Sequence, residues 1–181
     1  MSTETEIKVE IQNPDDFCAK LQSFNPRVVS SRHFEENHLL DFPDKALKDR
    51  RCLVRIRQAG ERATLTYKGP PKENGIFKTR EELETGLDNR TIGIEIFQRI
   101  GMSEWFRYQK YRREFALDAV IVAVDETPIG IFAELEGSEK AICDLARKLD
   151  IEQSRFIRNS YYALYLEHCR LKGKPTGNMV F

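Results

Sequence analysis

Residues 2–11 read STETEIKVEI. Taken with a period of two, Glu4, Glu6, Lys8 and Glu10 share one face of a strand, and Thr5, Ile7, Val9 and Ile11 share the other. A half-buried strand alternates in this way because one face is wet. The same pattern returns along the chain. Arg55 and Arg57 lie together in LVRIRQ, Lys68 with Thr64 and Thr66 in ATLTYK, and Arg80, Glu82 and Glu84 in TREELE. Lys110 and Arg112 share a face in KYRREF, as do Glu134 and Glu136 in IFAELEG. Six strands therefore set charges at alternate positions beside an apolar face.

Between these strands the chain supplies turns and helices. NPDDFCAKLQSF opens with a cap-like Asn-Pro-Asp and spaces Phe17, Leu21 and Phe24 for a helix over about 14–24. RHFEENHLLDF reads as extended, FPDKALKDRR as a turn region, and CLVRIRQAGERATLTYKG as a hairpin. GPPKENG is a loop, IFKTREELET a strand, and NRTIGIEIFQRIGM an amphipathic helix ending at Gly101. Three more strands follow, then helices from Ser138 and through SRFIRNSYYALYLEHCRLKG, so that the C-terminal helices cover about 138–171. About eight antiparallel strands with helices at the seams predict an α+β chain, residues 1–181 forming one domain: a β-barrel with helices packed outside.

Solvated outer faces of an ordinary barrel would explain the alternation but not the composition. Arginines and lysines cluster on the middle strands, while glutamate pairs occupy the first and last. A barrel with a polar lumen, clothed by helices on its apolar outer faces, explains both. Lys8, Arg55, Arg57, Lys68, Arg80, Lys110 and Arg112 would then share an interior with Glu4, Glu6, Glu82, Glu134 and Glu136. Unpaired charge is prohibitive in such a place, so the lumen must be hydrated or hold a charged ligand. The cations suit a chain of phosphates. The glutamates suit Mg²⁺ or Mn²⁺, which prefer carboxylate oxygen and bridge to phosphate.

The bulk composition narrows the class. The 29 basic and 29 acidic side chains cancel, which argues against a nucleic-acid or membrane-surface partner. No apolar run is long enough to span a bilayer. Four scattered cysteines without CxxC spacing, and no signal peptide, point to reduced thiols in a cytoplasmic protein. Either a monomer or a homodimer is compatible with these features.

ETEIKVE resembles the ExExK signature of the CYTH superfamily, the triphosphate tunnel metalloenzymes. The similarity continues through HLLDFPDKALKDRRCLVRIR, LTYKGP, FKTREELE, FRYQKYRREF, VAVDETPIGIFAELEG and SYYALYLEH. This resemblance implies an eight-stranded antiparallel tunnel, divalent metal, and a triphosphate-containing small molecule as substrate. It implies phosphate ligation by the seven cations named above and metal-side roles for Glu4, Glu6, Glu82, Glu134 and Glu136. Lys8, Glu4 and Glu6 are the expected catalytic group, with Lys8 either a phosphate ligand or a proton shuttle whose pKa its cationic neighbours depress. Asp125 is a family position that also reads as a turn former, and Lys172 and Lys174 are candidates to fold over the tunnel mouth. Animal thiamine triphosphatases of this family place a tryptophan just before the tunnel arginines; here that position is Leu53, and the single tryptophan is Trp105. The leading expectation is a metal-dependent phosphohydrolase acting on tripolyphosphate or a nucleoside triphosphate. A class IV adenylate cyclase and a non-catalytic polyphosphate- or nucleotide-binding module are the alternatives.

Overall fold

The computed structural model describes residues 2–73 and 75–181. Among these residues the chain runs β1 (Ser2–Ile11), α1 (Pro14–Gln22), β2 (Arg27–Asp41), α2 (Ala46–Asp49), β3 (Leu53–Ala59), β4 (Arg62–Lys68) and β5 (Lys78–Leu87). It continues with α3 (Arg90–Arg99), β6 (Ser103–Leu117), β7 (Val120–Thr127), β8 (Gly130–Gly137), α4 (Glu139–Lys148) and α5 (Tyr161–Lys172). The strands close into one barrel in the order β1-β5-β4-β3-β2-β6-β7-β8, and every neighbouring pair is antiparallel. The closed eight-stranded barrel expected from the alternation is therefore present.

Local chemistry explains where the elements begin. Asn13 caps α1 by accepting from the amides of Asp15 and Asp16, with Pro14 in the first helical turn. Asn89 caps α3, Ser138 caps α4 and Ser160 caps α5 in the same manner. Gly60 joins β3 to β4 at φ +58°, a left-handed conformation that suits glycine.

Apolar outer faces bury under the helices. Leu21 of α1 and Ile142, Leu145 and Leu149 of the α4 segment cover Ile7, Val9, Val122, Val124, Ala133 and Leu135. Ile94 and Phe97 of α3 cover Leu40 and Ile56. Gly93 brings α3 close to the sheet, since a Cβ there would stand 2.9 Å from Leu87 Cδ1. The C-terminal tail returns to the barrel: Gln109 donates to the Met179 carbonyl at 2.9 Å and Met179 to that of Arg107 at 2.9 Å.

Three expectations need correction. The helix read through residues 154–173 is helical only over Tyr161–Lys172. Upstream, Ile157 exchanges both backbone hydrogen bonds with Lys8, at 3.0 and 2.8 Å, which holds the segment extended against β1. FPDKALKDRR contains the short helix α2, because the buried Asp41 carboxylate accepts from the amides of Phe42, Leu47 and Lys48. The first helix stops at Gln22 rather than residue 24. The GPPKENG loop includes Asn74, which lies outside the described residues.

Candidate active site

Alternation turns one face of every strand into the barrel, and the register fixes which side chains meet there. Glu4 lies opposite Arg80, and Lys8 opposite Glu134. Arg57 lies opposite Asn37, Glu35 opposite Lys110, Lys68 opposite Glu82 and Arg112 opposite Asp125. All seven cations read from the sequence border one cavity of about 980 Å³, as do Glu4, Glu6, Glu82, Glu134 and Glu136. Lys172 and Lys174 are exposed and do not border it.

Followed round the barrel, the register sorts these side chains into levels. Tyr108, Lys8 and Lys78 stand near one end with Leu39, Leu53 and Phe106. Arg55, Lys68, Arg80 and Lys110 occupy the middle, with Arg57 and Arg112 below them. Glu82, Glu84, Glu114 and Glu136 reach the opposite mouth, where Glu84 and Glu136 are exposed. The tunnel thus has an aromatic end, a cationic middle and an acidic end.

Each buried cation has a carboxylate partner. Lys8 Nζ meets Glu134 Oε1 at 2.9 Å and Glu6 Oε1 at 3.3 Å. Lys68 Nζ bridges Glu4 at 2.7 Å and Glu82 at 2.9 Å. Arg112 is held by Asp125 and by a very close contact to Glu134. Asp125, fully buried, accepts from Arg112 Nε at 2.6 Å, Lys110 Nζ at 2.9 Å and the Tyr161 hydroxyl at 2.6 Å. It is a load-sharing anion of the lumen rather than a turn former. Glu134 likewise faces cations, so the expected metal pair of Glu134 and Glu136 is split between two environments.

The ionisation pattern follows. Burial works against charge on Lys8, yet Glu134 and Glu6 hold its pKa well above the ordinary lysine value, so the expected depression does not occur. Lys78 is the lysine pushed down, to about 8, by burial and by Lys8 and Arg80, with Glu6 opposing. Glu6 is held well below the usual carboxylate range: burial opposes this, but Lys78 and Lys8 outweigh it. Glu136 is pushed up to about 7, first by partial loss of water around a carboxylate whose side chain still reaches solvent at the mouth, and then by Glu4, with Lys68 opposing and Glu6 and Glu82 adding. Glu4 is also raised, by burial and Glu6.

Several lumen groups were not read from the sequence. Glu35 is 2% exposed and Asn37 0%. Lys110, Arg112 and Arg57 hold the Glu35 carboxyl well below its usual range, against the effect of burial. Asn37 Oδ1 accepts from Arg57 Nε at 3.1 Å. Lys78 completes the cation set through a 2.7 Å contact to Glu6. Strand alternation carried two positions upstream of Arg80 would have found Lys78.

Two observations bear on what the lumen accepts. Arg55 Nε, Arg80 Nε and Asn37 Nδ2 are buried without a hydrogen-bond partner in the protein, so donors remain for an anion. At the acidic end burial and neighbouring carboxylates push Glu4 and Glu136 up, while against burial Lys78 and Lys8 keep Glu6 low and Lys68 keeps Glu82 low. Such hard oxygen donors fit Mg²⁺ or Mn²⁺. Among the described residues, no three acidic, histidine or cysteine side chains already stand as a metal cage, and none of the helices is long and apolar enough to cross a membrane.

A closed barrel with a charged, ligand-sized lumen defines a tunnel protein, and the chain belongs to the CYTH domain family, which matches residues 2–163. A Methanocaldococcus jannaschii protein described as a candidate adenylate cyclase is 27% identical over 172 residues, covering 89% of this chain and 97% of the relative. A Pyrococcus furiosus structure described as a conserved hypothetical protein superposes with a TM-score of 0.77 at 26% identity, covering 89% of this chain and 99% of the other. A Hippeastrum structure, described as a candidate adenylyl cyclase with a dominant triphosphatase activity, superposes with a TM-score of 0.66 and covers 96% of this chain and 97% of its own. At 18% identity that last similarity is one of fold.

Proposed function

We propose that this protein is a metal-dependent phosphohydrolase that holds a triphosphate along its tunnel. The observation that carries the reading is the axial order of charge, cations in the middle and carboxylates at one open mouth. Arg55, Arg57, Lys68, Arg80, Lys110 and Arg112 would grip phosphate oxygens, each exchanging a carboxylate partner for the ligand. Lys8 stays protonated beside Glu134 and Glu6, and so acts as a clamp rather than a base. Glu4, Glu6, Glu82 and Glu136 would hold Mg²⁺ or Mn²⁺, which supplies Lewis-acid neutralisation of phosphate oxygens when bound. Glu134, engaged by Lys8 and Arg112, would instead position those two cations.

With the chain of phosphates lying along the axis, the terminal phosphorus reaches the acidic mouth, where exposed Glu136 marks access for water. In-line attack there needs only positioning and charge neutralisation, which the clamp provides. The second reading, an adenylate cyclase, is favoured by the description of the 27%-identical relative. It requires the ribose 3′-hydroxyl to meet the α-phosphorus in line, deeper among the cations.

Product analysis separates the two. Purified protein is given ATP or tripolyphosphate with Mg²⁺ or Mn²⁺, and products are resolved by chromatography. ADP and phosphate from ATP, with phosphate and pyrophosphate from tripolyphosphate, are expected. Dominant cyclic AMP and pyrophosphate from ATP would establish the cyclase instead. No turnover of either compound, with binding retained, would point to the non-catalytic module.

A further inference from the structure

At its aromatic end the tunnel carries a feature that phosphate binding does not require. Leu39 pairs with Phe106 and Leu40 with Glu104, so β6 has one extra residue at Trp105. Such a bulge re-aims a side chain, and here Trp105 joins Phe106 on the cavity side, next to Leu53. Tyr162, from the first turn of α5, meets the Trp105 ring edge-on, with centroids 4.8 Å apart and planes at 84°. The Lys48 ammonium lies 4.9 Å from the Trp105 centroid and 4.7 Å from that of Tyr162, and donates to the Tyr162 hydroxyl at 3.1 Å. Asp41 presets that lysine by accepting its backbone amide at 2.9 Å.

Purely structural packing does not need an ammonium drawn over two half-buried rings. Electron-rich ring faces at the rim of a cavity are surfaces on which a planar heterocycle stacks. The rings border the same continuous cavity as the cations, at the end away from Glu136. We propose that Trp105, Tyr162 and Lys48 form a subsite for the nucleobase of a nucleoside triphosphate, which makes that class the substrate. This inference rests on the tunnel reading above and adds a direction, the base at the Trp105 end and the terminal phosphate at the acidic end. Stacking is tolerant of base identity, so discrimination among the common nucleotides is weak.

Trp105 is the only tryptophan in the chain, so its fluorescence reports on the subsite directly. The protein is titrated with ATP and with tripolyphosphate in chelator, so that no turnover intervenes, while calorimetry gives both affinities. Both anions are expected to bind, with ATP changing Trp105 emission well beyond the change that tripolyphosphate produces. Trp105→Ala should lower the affinity for ATP relative to tripolyphosphate by about ten-fold, the scale of one lost base–aromatic stack. If both anions bind, but ATP moves the emission no more than tripolyphosphate or the variant leaves the ratio unchanged, the subsite is refuted and the tunnel reading stands. If neither anion binds, the tunnel reading fails and takes the subsite with it. Should Trp105→Ala not fold, the wild-type emission comparison decides, since it needs no variant.

Discussion

Replacing Asp125 by Asn should make the protein less stable and a better anion binder at once. The carboxylate is fully buried and carries Lys110, Arg112 and Tyr161. Arg112 keeps its proton well above the ordinary range: burial opposes this, but Asp125 and then Glu134 outweigh it. Asparagine preserves the shape but removes the charge, and it turns an amide toward groups that are already donors. Breaking a buried pair from one side costs about 3 kcal/mol or more. For a chain of 181 residues, that corresponds to a fall in Tm of roughly 6–12 °C. The same carboxylate competes with phosphate for Lys110 and Arg112. Its loss therefore leaves those cations better disposed toward a bound anion. Differential scanning fluorimetry with a tripolyphosphate series should show a low starting Tm and a steeper rise with ligand than in wild type, by mass action on the folded state. Two results would refute the reasoning. An unchanged Tm would mean the buried charge is already compensated elsewhere, and weaker tripolyphosphate binding would mean Asp125 positions the clamp rather than competing with the ligand.

Two further outcomes are expected. Glu136 should titrate near 7 and Lys78 near 8 in ¹³C-detected NMR. The raised Glu136 makes stability fall as pH climbs from 4.5 to about 7, because the folded state binds the extra proton there; Glu136→Gln should flatten that slope. The depressed Lys78 works the other way between about 8 and 10.5, where the unfolded chain binds more protons and stability rises with pH. Ordinary titration of both groups would show that the lumen is wetter than the packing indicates. Finally, all four cysteines are free thiols, and Cys18, Cys143 and Cys169 lie away from the tunnel while Cys52 is buried at its border. Replacing the half-buried Cys143 by Ser should leave turnover and its metal requirement unchanged, and loss of activity would demand a thiol in the chemistry.

The barrel was legible because its faces differ so sharply. Where apolar and charged residues alternate, as in EIKVEI or LVRIRQ, period two assigns each side chain without ambiguity. On β2 that contrast fails. His33, Glu35 and Asn37 face inward while Glu36 and His38 face outward, so both faces are polar and neither announces the lumen. Asp125 was ambiguous because a buried aspartate and a turn aspartate look alike until its three donors are known. Of the two roles open to Lys8, the proton shuttle with a depressed pKa fails for a related reason. Neighbouring cations were visible along the strands, but the Glu134 carboxylate that outweighs them arrives by pairing across β1 and β8. The over-long C-terminal helix failed where Ile157 pairs with Lys8, a tertiary contact that overrides local helix preference. Trp105 could not be placed from alternation at all, since a bulge changes the period that alternation relies on.

Closure of the barrel also has a consequence for biosynthesis. Glu6 lies opposite Glu136, and β1 pairs with both β5 and β8. The barrel's first strand in chain order therefore waits for its last before its second edge is covered. Until then Glu4, Glu6 and Lys8 remain on an open sheet, and the cations from β3, β4, β5 and β6 have no common interior to share. Such long-range pairing slows folding, and an uncovered strand edge invites association with other chains. The alternating charge of STETEIKVEI, which later lines the tunnel, would in that interval keep the unfinished edge hydrated and apart from its neighbours.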